Sequence, residues 1–305
     1  MSWETALDRQ IHDYLPDLKW AADEPMAKHT SFRIGGPAKR MAFPKTREQL
    51  VVLMGFLQDA GVKPLLIGNG TNLLVADKGL DTVVIDTSAE LSHIELTDEG
   101  EIAADAGVSL AKLALFAWKN GLTGLEFAHG IPGTLGGGVV MNAGAYGGEL
   151  KDVVRGVLAI SPDGREERVF TNEEMQFGYR HSVLSDNGYI ALFASLQLAQ
   201  GDPAAIALTM RELNQKRNSK QPVQYPSAGS TFKRPEGHFA GKLIEDAGLK
   251  GVAVGGAQVS TLHSGFIINR GGATATDILQ LISLVQNTVY DRFGVMLEPE
   301  VRIIG

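Results

Sequence analysis

The chain contains no cysteine. That single absence excludes disulfides, thiol nucleophiles, iron–sulfur clusters and cysteine-ligated zinc, and it fits a reducing compartment. No apolar run reaches transmembrane length. The stretch from Met1 to Leu15 lacks the apolar region of a signal peptide. None of the seven histidines stands in an H-E-x-x-H pattern, so no metal site is signalled. No G-x-S-x-G elbow marks a hydrolase serine. Net positive charge is lacking too: the balance is −7, a poor basis for sequence-independent nucleic-acid binding.

What is present is an ordinary globular balance, 44% hydrophobic and 21% charged over 305 residues, enough for two or three domains. Glycine is unevenly placed. Eight glycines fall in the nineteen positions from Gly130 to Gly148, "GIPGTLGGGVVMNAGAYGG". Ordering glycine costs entropy, so such a cluster signals positive φ or a close approach. A second segment, "GNGTN" (Gly68 to Asn72), follows the apolar run "PLLIG". Backbone N–H groups in glycine-rich loops can cradle phosphate. Yet "GNGTNLL" has Leu73 where a Rossmann fingerprint needs its third glycine. "GHFAGKL" is one residue short of a Walker A loop and has Leu243 after Lys242. The two segments are therefore either tight turns between packed elements or a phosphate cradle of another kind.

The periodicity predicts an α+β fold with short mixed strands. "KTREQLVVLMGFLQDAG" predicts a helix opened by Thr46 and Gln49 at capping-box spacing. "SLAKLALFAWKNG" predicts a second helix, stopped at Gly121. "DPAAIALTMRELNQKRNSK" predicts a third, with Asp202 as its cap, and suggests a domain boundary beside Gly201. A short helix follows near "AGKLIEDAG". A long late helix carries Ile278, Ile282, Val285 and Val289 on one face, with Thr274 and Asp277 as its cap. "TVVIDT", "SHIEL", "EIAADAG", "VVRGVLAI", "YIALFASL", "SGFIIN" and "EVRIIG" predict strands. In the last, period two puts Glu300, Arg302 and Ile304 on one face. That face is either exposed and polar or a carboxylate held rigidly beside an arginine. The basic cluster Arg211, Lys216, Arg217 and Lys220 is either a solvated helix face or a site for one small polyanion.

Seven segments together narrow these alternatives. They are "HTSFRIGGPA" (29–38), "PLLIGNGTNLLV" (64–75), "GLEFAHGIPGTLGGGVVMNAGAYGGE" (124–149), "FGYRHS" (177–182), "KQPVQYPSAGSTFKRPEG" (220–237), "GLKGVAVGGAQVSTLHSGFIINRGGAT" (248–274) and "LEPEVRIIG" (297–305). In order and over nearly the whole chain, the set resembles the UDP-N-acetylenolpyruvoylglucosamine reductase (MurB) family. The shorter subclass, without a tyrosine-bearing insertion, is expected from the chain length. The resemblance implies a two-subdomain FAD-binding module of the vanillyl-alcohol-oxidase (PCMH) type, plus a C-terminal α+β substrate domain. The expected boundaries are 1–85, 86–201 and 202–305, with the final strand returning to the active site.

The family's reaction uses NADPH as hydride donor and FAD as carrier to reduce an enolpyruvyl ether on a UDP-sugar. The resemblance implies catalytic roles for Arg180 as charge stabiliser, Ser230 as proton donor and Glu300 as supporting carboxylate. For FAD it implies Arg33, Gly68, Asn69, Gly70, Thr71, Asn72, Pro132, Gly133, Thr134, Gly136, Gly137, Ala143, Gly144 and Arg302. For substrate it implies Tyr179, Lys220, Arg234 and His263, the last equally readable as a satisfied structural histidine. The remaining expectations are a cytoplasmic monomer with no metal and with neither nucleic acid nor membrane as partner. Two other readings stand beside this one: a small-alcohol oxidase on the same module, and a nucleotide-binding protein without activity.

Overall fold

The computed structural model describes residues 2–305. The chain divides into two compact units. The first holds the residues up to Ala22, Arg40–Asn69 and Thr82–Gln215. The second holds Asp23–Lys39, Gly70–Asp81 and Lys216–Gly305.

In the first unit a five-stranded antiparallel sheet runs in the order Glu167–Thr171, Val154–Ile160, Ile190–Leu196, Ile102–Asp105, Ile94–Leu96. The helix Leu110–Lys119 buries Leu110, Leu113, Ala114 and Ala117 in the same core as Val157, Ala194 and Leu196. Ser109 caps it by accepting from Lys112 N–H, and the chain turns at Gly121 with φ +68. The helix Arg47–Asp59 starts as its sequence predicts, with Thr46 Oγ1 accepting from Gln49 N–H at 3.2 Å. The Gln49 side chain reaches Lys45 N–H at 2.8 Å, one residue further back than a capping box requires. Its buried face (Leu50, Leu53, Met54, Leu57) shares a second core with Leu7, Ile11 and Ile85.

A four-stranded sheet is ordered Lys19–Pro25, Pro37–Phe43, Leu80–Asp86, Leu65–Ile67. Its first strand, KWAADEP, shows no apolar alternation, which hides it from pattern reading.

The second unit is built on the helix Ala275–Phe293. Thr274 and Asp277 form a complete capping box, and Gly294 ends the helix with φ +69. The predicted stripe Ile278, Ile282, Val285 and Val289 is buried, joined by Leu281. Each such side chain contributes about 1.5–3 kcal/mol by leaving water. The stripe shares its core with the strands Ala257–Val259 and Ile267–Asn269 and with Leu297 and Val301. The final strand, Arg302–Ile304, pairs in parallel with Leu73–Val75. It is shorter than its sequence predicts, because Glu300 lies outside it. The chain changes partner at buried Val301: Pro299 bridges Phe232, and Arg302 begins the pairing with Leu73.

No helix among the described residues is long and apolar enough to cross a membrane.

Candidate active site

Arg180 lies at the tip of a tight hairpin in the first unit. Gly178 N–H donates to His181 O at 3.0 Å, and His181 N–H returns to Gly178 O at 3.4 Å. Between them, Tyr179 is exposed and Arg180 half-buried. Arg180 has φ +53, a left-handed conformation that costs a residue with a Cβ about 1–2 kcal/mol. Its guanidinium lies 5.2 Å from the Tyr179 ring centroid. The Glu149 carboxyl is held below its ordinary range, first by its hydrogen bond with Lys151 and also by the Arg180 charge.

The glycine-rich stretch meets this hairpin through Asn142, whose Nδ2 donates to Gly178 O at 3.0 Å. Much of its glycine serves packing of the chain on itself. A Cβ at Gly136 would sit 2.8 Å from Ala106, and one at Gly138 would sit 2.8 Å from Leu150. Thr134 caps the short helix Leu135–Val140 by accepting from Gly137 N–H at 3.3 Å. Leu135 N–H is taken by Val108 O and Gly136 N–H by Ala106 O. The N–H groups of Gly133 and Thr134 are left over. They donate to no protein atom among the described residues. Gly68 packs directly on the Thr134 side chain, where any Cβ would collide with it. Pro132 and Asn69 are exposed, and Ala143 and Gly144 are half-buried.

The second unit brings Ser230 and Glu300 together through the residue between them in space, Thr231. Thr231 is 1% exposed. Its N–H donates to Gly265 O at 2.8 Å, its carbonyl accepts from Glu300 N–H at 2.8 Å, and its hydroxyl accepts from Ile267 N–H at 3.0 Å. Gly229, with φ +76, turns the chain just before Ser230, so the serine projects from a fixed peptide into the open. The register continues with Lys233 N–H on Glu298 O at 2.8 Å, and the Lys233 and Glu298 side chains form an ion pair.

Glu300 O in turn accepts from Asn72 Nδ2 at 3.1 Å. This bond ties the carboxylate's backbone to the turn Gly70–Asn72. Gly70 has φ +57, and a Cβ there would collide with the His29 carbonyl. The N–H groups of Gly70, Thr71 and Asn72 and the Thr71 hydroxyl donate to no protein atom among the described residues. Two arginines belong to the same unit. Arg302 is exposed on the strand paired with Leu73–Val75, with its N–H on Asn72 O at 3.0 Å. Arg33 is exposed at φ +56, on a turn clamped by the buried Thr30 hydroxyl, which donates to Ile34 O at 2.8 Å.

Lys220 is the exposed last residue of the helix Pro203–Lys220. Asp202 caps that helix with bonds from Ala204 N–H and Ala205 N–H at 3.1 and 3.3 Å, as its sequence predicts. The Arg234 guanidinium lies 4.1 Å from the centroid of the exposed Phe239 ring. His263 has the contacts of a structural histidine. Its Nδ1 accepts from Gly265 N–H at 3.1 Å, its ring packs edge-on to Phe266, and burial pushes its pKa down.

Arg180 thus belongs to one unit, and Ser230, Glu300, Lys220, Arg234 and His263 to the other. Two residues that hold these positions, Asn142 and Thr231, were not singled out from the sequence. Neither carries a motif; what marks them is structural, since both are buried polar residues. No cluster of potential metal ligands exists among the described residues.

Residues 221–304 match the family described as UDP-N-acetylenolpyruvoylglucosamine reductase, C-terminal domain. Residues 38–169 match the family described as FAD binding domain. The UDP-N-acetylenolpyruvoylglucosamine reductase of Alkaliphilus oremlandii is 52% identical, over 93% of this chain and 92% of its own. That of Caldanaerobacter subterraneus subsp. tengcongensis is 49% identical, over 97% of each. Among solved structures, the enzyme of the same name (MurB) from Thermus caldophilus superposes with a TM-score of 0.81 at 35% identity, covering 94% of this chain and 99% of its own. With identity of this extent over nearly the full length of both chains, the chain belongs to the UDP-N-acetylenolpyruvoylglucosamine reductase family.

Proposed function

We infer that the protein is an FAD-dependent oxidoreductase that reduces UDP-N-acetylenolpyruvoylglucosamine to UDP-N-acetylmuramate, a step of peptidoglycan precursor synthesis. The family match over nearly the whole chain carries this reading. It disfavours a small-alcohol oxidase, which has no use for the constellation Arg180, Ser230 and Glu300. When bound, FAD supplies the hydride, which it takes from NADPH.

The unused donors fit that cofactor. A pyrophosphate needs N–H groups with no other acceptor. Gly70, Thr71, Asn72, Gly133 and Thr134 have them. Arg33, Arg302, Gly68, Asn69, Pro132, Gly136, Gly137, Ala143 and Gly144 complete the cofactor set we propose. Gly136 and Gly68 act there by letting the chain pack closely.

Hydride addition to the enolpyruvyl group builds negative charge on its carboxylate side. Fixed positive charge stabilises that charge best where it needs no reorganisation. Arg180, held at the tip of its hairpin, supplies it. Ser230 Oγ then gives a proton to the neighbouring carbon. Glu300, on the peptide bonded to Thr231, steadies the proton donor. Tyr179, Lys220 and Arg234 bind the UDP-sugar, Lys220 facing its diphosphate, and His263 shapes the turn beside them. Residues 1–85 and 86–201 form the cofactor-binding halves and 202–305 the substrate-binding part. The protein works as a cytoplasmic monomer of the shorter subclass, without nucleic-acid or membrane partners.

Ser230→Ala tests the assignment by anaerobic stopped flow, with NADPH first and the enolpyruvyl substrate second. Flavin reduction should proceed at the wild-type rate, while reoxidation by substrate slows by about 100-fold or more. Equal loss in both halves would make Ser230 a structural residue.

A further inference from the structure

The glycine-rich stretch contains one polar side chain that is almost fully buried. Asn142 is 1% exposed and has φ +44. Both of its amide hydrogens are used: Nδ2 donates to Glu149 Oε2 at 2.9 Å and to Gly178 O at 3.0 Å. Its Oδ1 accepts from Lys151 N–H at 3.0 Å. Gly178 is the first residue of the hairpin that carries Arg180.

We propose that Asn142 is a positioning residue for Arg180, holding the base of its hairpin through the Gly178 carbonyl. This rests on the role given to Arg180 above. Three observations carry it. The carbonyl of Gly178 has two donors, and the cross-hairpin one, from His181 N–H, is stretched to 3.4 Å. The amide of Asn142 is the better bond on that atom. Second, both Asn142 and Arg180 hold left-handed backbone that a residue with a Cβ rarely adopts. Such strain persists only where surroundings over-determine it, and here one carbonyl links the two strained residues. Third, Glu149, the other acceptor of Asn142, is the carboxylate that feels the Arg180 charge. The amide therefore sets the spacing between the arginine's hairpin and its nearby counter-charge. Asparagine suits this position because it tolerates αL and offers two donors and an acceptor at once.

The test uses the FAD-loaded enzyme with Asn142→Asp and Asn142→Gly. The aspartate keeps the acceptor but cannot donate to Gly178. The glycine takes φ +44 without strain, so it keeps the fold should the aspartate variant fail to form. Reoxidation by UDP-N-acetylenolpyruvoylglucosamine should slow by about 10–100-fold in each, as for a displaced catalytic group. Flavin reduction by NADPH should stay within about twofold. Amide hydrogen exchange over residues 178–182 should quicken by about tenfold. In an Arg180→Lys background, adding either Asn142 substitution should slow reoxidation by no more than about threefold further, because both act through one hairpin. Full multiplication of the two losses, or unchanged exchange over 178–182, overturns the proposal. If Arg180→Lys alone leaves reoxidation unchanged, the role of Arg180 has failed instead. The exchange measurement then still decides whether Asn142 holds the hairpin.

Discussion

The hairpin that carries Arg180 and the segment that carries Ser230 solve the same problem differently. Both project a polar side chain from a turn: one at Arg180 itself with φ +53, the other just after Gly229 with φ +76. The first is anchored by a side chain, the amide of Asn142. The second is anchored mostly by backbone, through the N–H and carbonyl of Thr231. Backbone bonds survive almost any substitution, whereas a side-chain anchor can be deleted by one. The arginine's hairpin should therefore be the more fragile of the two segments, and the serine–glutamate segment the more robust.

Thr231→Val is the hardest test of that contrast. Valine has nearly the same shape but cannot accept from Ile267 N–H, which is buried. An orphaned buried donor costs about 1–3 kcal/mol, to be read by urea denaturation. Both backbone bonds of Thr231 remain, so turnover should fall by no more than about threefold. A turnover loss as large as that of an Asn142 variant would erase the distinction between the two segments.

Asp77→Ala asks whether a side-chain anchor away from the site acts on stability alone. Asp77 follows the strand Leu73–Val75 and accepts from Ala275 N–H at 2.7 Å and from Thr276 N–H at 3.0 Å. It thus adds a second cap to the long helix from outside it. Burial pushes this carboxyl up, but the bonds from Ala275 and Thr276 outweigh it and leave its pKa below the ordinary value. Its loss should cost about 1 kcal/mol, seen as a lower melting temperature at unchanged turnover. A turnover loss at unchanged melting temperature would show that the strand's end is coupled to catalysis.

What could be read from the sequence follows the range of the interaction involved. The caps at Thr46, Asp202 and Thr274 and the stripe on the long helix are local, and each appears where its spacing predicts. The α+β class follows from the same local patterns. Arg180 and Ser230 rest on resemblance alone, while period two already marks Glu300 beside Arg302, though its role comes from the resemblance. The anchors were invisible because their partners are remote: Thr231 meets residues near 265 and 300, and Asn142 meets Gly178. The strand Leu73–Val75 escaped for the same reason, since its partner is the end of the chain. Glycine density gave a half-correct signal. It marked close approach, but much of what approaches is the protein itself.

The smallest expected effect concerns acid and the serine–glutamate segment. His263 accepts from Gly265 N–H through Nδ1, and Gly265 O accepts from Thr231 N–H. The histidine turn therefore supports the peptide that follows Ser230. Burial is the main cause of its lowered pKa; the Lys250 charge adds to it, and Glu245 opposes it. A protonated ring cannot accept at Nδ1. Above the ordinary value of 6.5, both folded and unfolded states hold the ring neutral, and its contribution is complete. Below that value the unfolded chain takes up the proton first, so the contribution shrinks as pH falls through the depressed folded pKa. His263→Gln should therefore be less stable than the wild type at about pH 8, and the gap should narrow toward about pH 5. Denaturation curves of the two proteins across that range supply the measurement, because other titrating groups cancel in the difference. A gap that stays constant or widens on acidification would mean that the ring is already charged in the fold, and that the turn beneath Thr231 is held by something else.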